Sequence, residues 1–403
     1  MHIAFLTSCL APGKDGVGDY IRDLTAGCRA LGHECSGLAL NDRHVEAAAE
    51  ELQPVRDSAL ACLRLPATAS WSQRMSRADE WLARRAPDWV SVQLVSYGFH
   101  PKGLPFGLAP RLAALAGRRH RHLLLHELWV GMDTDATLRR RLLGAVQRHL
   151  VLDIARQLRP EVVHTTNDTY AQLLSRWAID ARVLPLCGNI PVAAATDPGW
   201  LEAALLRAGV PASRARPSER TWRCVIFGSL HPRWHPDALF VELGRAAEEA
   251  RRELVIISIG RRGAGDGLWS ELRRRYGERH SFALLGERSP LEISSCLAAA
   301  DFGIALTPWA LIGKSGTTAA LTDHGLPVIV ARTDEHYAGV RLSPPGGRFH
   351  AVDGGLSEWM RRVRREPPCS RLAQTSEQFV ADLQRRALAS CRPSDAGSIP
   401  SMK

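Results

Sequence analysis

Lysine is scarce in this 403-residue chain. Of 52 basic side chains only Lys14, Lys102, Lys314 and Lys403 are lysines, and the rest are arginines. Such a bias follows codon composition, so the formal charge of +10 says little about partners: anionic substrates, an anionic membrane face and nucleic acid are all compatible with it. Cys-x-x-Cys pairs are absent. The nine cysteines are scattered and several sit in apolar runs, which argues against a zinc site and for reduced core thiols in a cytosolic protein. No apolar stretch approaches the ~18 residues that cross a bilayer. The opening MHIAFLTSCLAPGKDG has no basic leader and its apolar run stops at Pro12, so it reads as a first strand rather than a signal peptide. A basic platform interleaved with aromatics is also missing, so nucleic acid is not an expected partner. A wrapped phosphate loop is excluded as well: five positions before Gly313 of Gly313-Lys314-Ser315 stands Pro308, where that loop needs glycine.

What is present is alternation. Short apolar runs separated by helical patterns run through the whole chain, which predicts α/β architecture with parallel sheets. HIAFLT, ECSGLAL, WVSVQLV, HLLLHE, EVVHTT and RVLPL read as strands of a first half. A helix is expected over 17–31, and another from about Thr134 to Arg159 with the stripe Leu138, Leu142, Val146, Leu150, Ile154 and Leu158. RCVIFG, ELVIISIG, FALLG, DFGIAL and LPVIVA are strands of a second doubly wound sheet. The expected organisation is a first domain over 1–190, a Pro- and Arg-rich connection over 191–220, a second domain over 221–370, a terminal helix over 371–391 returning to the first domain, and a mobile tail over 392–403. Ligands of such sheets bind at the carboxyl ends of the strands.

Four stretches carry candidate chemistry. In PGKDGVGDYIRDL, Gly16, Val17 and Gly18 with Asp19 follow the first strand and open a helix; they line a ligand or form an ordinary turn. His126 and Glu127 end a buried strand, where a histidine either faces a ligand or is satisfied in the core. In the third stretch Ser315 is placed to cap a helix running to about His324 and stopped by Gly325. The amides of Gly316, Thr317 and Thr318, their hydroxyls and the Lys314 ammonium would suit a diphosphate there, the alternative being a plain cap. In the fourth, FGSLHPRWHPDAL, Arg233 can neutralise a phosphate beside Gly228 and Ser229. The arginine clusters at 117–122, 138–141 and 361–365 read as solvated faces, with peripheral contact to an anionic membrane as the other reading.

Taken in order, GVGDYIRDLTAGCRALGHE, VIFGSLHPRWHPDAL, FALLGERSPLEISSCLAAADFGIALTPW and DHGLPVIVA resemble the group 1 family of bacterial glycosyltransferases, whose two Rossmann-like domains face across a cleft (the GT-B fold). The resemblance implies a nucleoside-diphosphate-sugar donor held by the C-terminal domain and a hydroxyl acceptor held mainly by the N-terminal one. It implies no essential metal and no cofactor beyond that donor. His126 falls where the family often has a histidine contacting the transferred sugar. Two departures stand out. The family's paired glutamates fall on Ile312 and Ala320, and its Arg and Lys after the FG strand fall on Ser229 and Trp234. The donor phosphates are therefore expected at Lys314, Ser315, Gly316, Thr317 and Thr318, with Arg233 assisting. His126 and Glu127 are expected at the sugar, and Asp19 or His126 as base. A nucleotide-sugar epimerase of the same fold and a non-catalytic sugar-nucleotide-binding subunit are the competing readings.

Overall fold

The computed structural model describes residues 1–390 except 57, 231–233, 262 and 264. Arg233 and the expected tail over 392–403 thus lie outside the described residues. The chain divides into two compact units. One comprises Met1–Leu128, Gln147–Thr165 and Gln374–Lys403, the other Trp129–Val146 and Thr166–Ala373.

In the first unit the strands are β1 (His2–Thr7), β2 (Glu34–Asp42), β3 (Ala49–Val55), β4 (Ser58–Pro66), β5 (Trp89–Leu94), β6 (His120–Leu125) and β7 (Val162–Thr165), in the spatial order β3-β4-β2-β1-β5-β6-β7. All neighbours are parallel except the hairpin β3–β4, which closes one edge. Parallel strands covered on both faces read as unbroken apolar runs, and β1 and β5 are buried at every position. The hairpin is absent from the sequence expectation for a physical reason. AEELQPV has few apolar residues, exposes Leu52 and carries Pro54, a composition suited to an edge.

The second unit contains a two-residue strand β8 (Arg182–Val183), all that forms of the expected RVLPL, and a six-stranded parallel sheet. Its strands are β9 (Thr221–Phe227), β10 (Glu253–Ile259), β11 (Ser281–Gly286), β12 (Phe302–Ala305), β13 (Val328–Val330) and β14 (Phe349–Ala351), ordered β11-β10-β9-β12-β13-β14. This is the doubly wound order, with its reversal between β9 and β12. The pleat splits the core: Val225 of β9 packs with Val255 and Ile257 on one face, while Cys224 and Ile226 pack with Leu254 and Ile256 on the other. The stretch expected to link the domains contains the helix Pro198–Arg207, capped by Asp197. Its Leu201 and Leu205 are fully buried in the first of those faces, each worth ~1.5–3 kcal/mol.

The long helix forms over Leu138–Leu158 rather than from Thr134. Its expected stripe is buried only at the far end. Ile154 and Leu158 are in the core, but Leu138 is 72% exposed, Leu142 62% and Val146 42%. Periodicity identified the apolar face, not what covers it.

Candidate functional site

In the second unit the chain leaves β12 and makes a 3-10 turn, Trp309–Lys314, before the helix Gly316–Asp323. The helix limits match expectation: Ser315 is the cap, and Gly325 stands at φ +77° just beyond the end. Gly313 is glycine for a packing reason. A Cβ there would lie 2.7 Å from the Thr166 carbonyl and 3.0 Å from Asn167 Cβ, so the Gly-Lys-Ser resemblance to a phosphate loop is incidental.

The cap itself redistributes the expected donors. Ser315 Oγ accepts from the Thr318 amide at 3.2 Å and the Thr318 hydroxyl at 2.9 Å, and it lies 3.1 Å from Thr317 Oγ1. Ser315 and Thr318 are both buried. Their hydroxyls hold the first turn together. Gly316 and Thr317 form the half-buried tip. The first amides of a helix have no partner within it, and the dipole favours negative charge there.

Other backbone converges on this tip. Gly228, at the end of β9 with φ +95°, comes so close that a Cβ on it would lie 3.0 Å from Thr317 Cγ2. Its amide donates to the Ile259 carbonyl at 2.9 Å. Gly260, φ +105°, follows β10, and a Cβ there would lie 3.2 Å from the Gly228 amide nitrogen. Gly228 thus abuts the helix start and Gly260 backs Gly228, two glycines at the carboxyl ends of adjacent strands in conformations that side chains resist. Ser229 is exposed there and donates to the Arg261 carbonyl at 3.2 Å. Lys314 is half-buried, with Nζ 3.5 Å from the Tyr170 hydroxyl and 6.0 Å from that ring's centroid. Tyr170 was not a sequence candidate; only its place after the Asn167 cap could have flagged it.

The two positions where the resemblance expects glutamate are filled differently. Ile312 packs against the core, and Ala320 is fully buried. Gly188 covers Ala320 so closely that a Cβ on it would lie 2.8 Å from Ala320 Cα. The Gly188 amide is tied to Asp323 Oδ2 at 2.9 Å, and Arg371 pairs with Asp323 Oδ1 at 2.8 Å. A cavity of about 420 Å³ lies along a different flank of the helix, bounded by Ser315, Thr318, Thr322, Trp309, Phe349 and Arg371. Neither Lys314, Gly316, Thr317 nor Gly228 lines it, so the amide tip and the cavity are separate places.

In the first unit the helix Gly16–Ala30 begins with Asp15, whose carboxylate accepts from the Val17 amide at 2.8 Å. The protein therefore supplies an anion of its own at this helix start. Gly16 is exposed with nothing within 4 Å of a Cβ, whereas a Cβ on Gly18 would lie 3.0 Å from the Cys9 carbonyl. Gly18 serves the packing of helix on strand. Asp19 Oδ1 accepts from the Gly13 amide at 3.0 Å and is ion-paired with Arg22. Asp19 thus ties the turn before the helix to its first turn.

His126 leaves β6 with 7% exposure. Its Nε2 lies 2.8 Å from Gln93 Oε1, and its ring meets Tyr20 edge-on at 5.2 Å. Burial pushes its pKa down to about 3. Such an imidazole is neutral near pH 7, and the geometry shows it as a hydrogen-bond partner. Glu127 follows, half-buried.

The sequence matches no family model and no curated protein. Solved structures match almost end to end. The catalytic domain of starch synthase IV from Arabidopsis thaliana, bound to ADP and acarbose, superposes with TM-score 0.57 at 12% identity, covering 96% of this chain and 99% of that one. Anabaena HepE in complex with UDP gives 0.54 at 13% identity, over 97% and 99%. A putative UDP-N-acetylglucosamine 2-epimerase from Listeria monocytogenes gives 0.51 at 10% identity, over 98% and 99%. With two parallel doubly wound sheets and this likeness over the whole length, the chain has the GT-B fold.

Proposed function

We propose that this protein is a glycosyltransferase that moves a sugar from a nucleoside-diphosphate-sugar to a hydroxyl acceptor. The single observation that carries the reading is the helix tip at Gly316 and Thr317. Lys314 immediately precedes its cap, with Nζ 3.5 Å from the Tyr170 hydroxyl, and Gly228 and Gly260 remove side-chain bulk from the ends of β9 and β10. Backbone amides and a helix dipole in a glycine-cleared space, with a lysine next before the cap, suit a diphosphate. They would also steady the charge that grows on the leaving group as the glycosidic bond breaks. The fold supports it, since HepE and starch synthase IV are solved with UDP and ADP.

In this reading the second unit holds the donor and the first the acceptor and sugar. His126, neutral, contacts a sugar hydroxyl, with Glu127 next in sequence and Tyr20, of the helix that Gly16 and Val17 open, against its ring. Transfer needs neither an essential metal nor a cofactor, because Lys314 and the amides already answer the phosphate charge. Activity that survives chelation by EDTA supports this; loss restored by a divalent cation refutes it. Ile312 and the covered Ala320 stand where the resemblance expects the glutamate pair, so neither position offers a carboxylate.

Among the described residues no helix is long and apolar enough to cross a membrane. The exposed Leu138, Leu142 and Val146 lie on a helix that also carries Arg139, Arg141 and Arg148. That combination fits peripheral contact with an anionic membrane from the cytoplasmic side.

The decisive experiment is a thermal-shift screen of nucleoside diphosphates and their sugars, since a bound ligand raises stability by mass action. It is followed by incubation of the best donor with and without hydroxyl acceptors. Product only with acceptor supports transfer. Conversion of the donor alone marks an epimerase, the reading favoured by the Listeria likeness. Binding without turnover marks a non-catalytic subunit.

A further inference from the structure

A single file of buried hydrogen bonds crosses the first unit from β6 through β5 and β7 to the C-terminal helix Leu372–Ser390. His126 Nε2 meets Gln93 Oε1 at 2.8 Å, and Gln93 Nε2 donates to Ser91 Oγ at 2.8 Å. Ser91 Oγ meets His122 Nδ1 at 2.7 Å, His122 Nε2 meets His164 Nδ1 at 3.0 Å, and His164 Nε2 meets Asp382 Oδ2 at 3.0 Å. Arg385 pairs with the other oxygen of Asp382. Ser91, His122 and His164 are fully buried, and Gln93 and Asp382 nearly so. Phe379, one turn before Asp382, lays its ring 5.1 Å from that of His122 and 6.2 Å from that of His164. Polar groups in such a core are costly unless every one is bonded.

The file has only two self-consistent polarities. An ionised Asp382 can only accept, so His164 carries its proton on Nε2 and accepts at Nδ1. His122 then donates from Nε2 and accepts at Nδ1 from the Ser91 hydroxyl. Ser91 in turn accepts from the Gln93 amide nitrogen, and Gln93 Oε1 accepts from His126 Nε2–H. In the opposite polarity every donor and acceptor exchanges, Gln93 turns over, and His126 carries its proton on Nδ1. That arrangement ends with a bare His164 lone pair against a carboxylate. One charge at the far end therefore selects between the two. An amide does not relay protons readily, so what passes through Gln93 is orientation.

We propose that Asp382 is a positioning residue that fixes the tautomer of His126 through five hydrogen bonds. The ring nitrogen Nδ1 is thereby kept as a lone-pair acceptor. Such an atom receives a hydrogen bond from a sugar hydroxyl; the other tautomer would present an N–H instead. The functional consequence rests on the proposed sugar contact of His126, while the relay itself does not.

The test is 15N NMR of protein labelled at histidine, with the His126 signals assigned by their loss in His126→Gln. Wild type is expected to show a protonated Nε2 and an unprotonated Nδ1. In Asp382→Asn the amide can donate or accept, both polarities become accessible, and the two His126 nitrogens move toward averaged or doubled shifts. Ser91→Ala cuts the file midway and releases Gln93, so it carries the same expectation should Asp382→Asn fold poorly. A wild-type His126 protonated on Nδ1, or one unchanged in whichever of these variants folds, overturns the relay. Transfer kinetics separate the two claims. A fall of about tenfold in kcat/KM alongside the shift change supports both. A changed tautomer with unchanged kinetics keeps the relay and removes His126 from the sugar.

Discussion

Replacing Lys314 with alanine tests the phosphate reading most directly. The residue lies immediately before the helix cap, half-buried, with Tyr170 on one side. A unit charge 4 Å from a phosphate oxygen is worth ~1 kcal/mol in bulk water and ~4 kcal/mol at the effective dielectric of a protein surface. Half-burial puts Lys314 between these, and hydrogen bonds to charged groups contribute a net ~1.5–3 kcal/mol. At ~1.4 kcal/mol per decade, the dissociation constant for the nucleoside diphosphate should rise by about 10- to 100-fold. Calorimetry with the diphosphate identified by the thermal-shift screen measures it. The matching nucleoside, without phosphates, should bind both proteins equally. The wild-type advantage should shrink as salt rises, because screening acts on the charge alone. The cation–π contact with Tyr170 adds ~0.5–1 kcal/mol to folding, a loss small enough to leave the variant folded. An unchanged diphosphate affinity, or an equal loss for the nucleoside, would refute the assignment.

Gly313→Ala should cost ~1–3 kcal/mol in urea unfolding, because its Cβ would press on the Thr166 carbonyl at 2.7 Å; a neutral or stabilising result means the two segments part easily. His126→Gln should flatten part of the acid dependence of stability. The folded pKa of His126 is about 3 against ~6.5 unfolded. The unfolded chain therefore takes up a proton from pH 6.5 downward that the folded one refuses until about pH 3. Wild type should thus lose ~2 kcal/mol through this residue between pH 7 and pH 5, and the variant should lose correspondingly less; identical pH profiles contradict the buried neutral state. Leu142→Asp should lower sedimentation with anionic vesicles without lowering the melting temperature, since Leu142 is 62% exposed. Unaltered vesicle binding excludes this helix as the contact.

Much of the fold was legible because parallel sheets write themselves as apolar runs. HIAFLT, ELVIISIG and DFGIAL became β1, β10 and β12. The β3–β4 hairpin was not legible, since an edge strand needs only one apolar face. Nor was β14, three residues that are each half-buried. At the site, Ser315 and Gly325 announced the limits of their helix through cap chemistry. Which hydroxyls would be consumed by the cap depends on rotamers that no sequence pattern specifies. Asp19 and His126 were legible as polar residues at strand and helix ends, but their partners were not. Arg22 follows Asp19 by one turn, whereas Gln93 reaches His126 only through strand register. The one overlooked signal was polar residues inside apolar strands: Ser91 and Gln93 in WVSVQL, His122 in HRHLLL, and His164 in VVHT.

The alanine at position 320 acquires a physical sense from Gly188. Placing a carboxylate at position 320 would require moving the Gly188 backbone, which lies against Ala320 and is tied to Asp323. That aspartate in turn holds Arg371. Ala320 is thus part of one local packing arrangement that includes the loop, the helix and the arginine. Ala320→Glu on its own should destabilise, since a longer side chain in a filled core costs ~1–3 kcal/mol and a buried unpaired charge adds to it. If that variant instead kept its melting temperature and bound nucleoside diphosphate more tightly, the loop would be a movable cover. The phosphate-binding role would then no longer be confined to the helix tip.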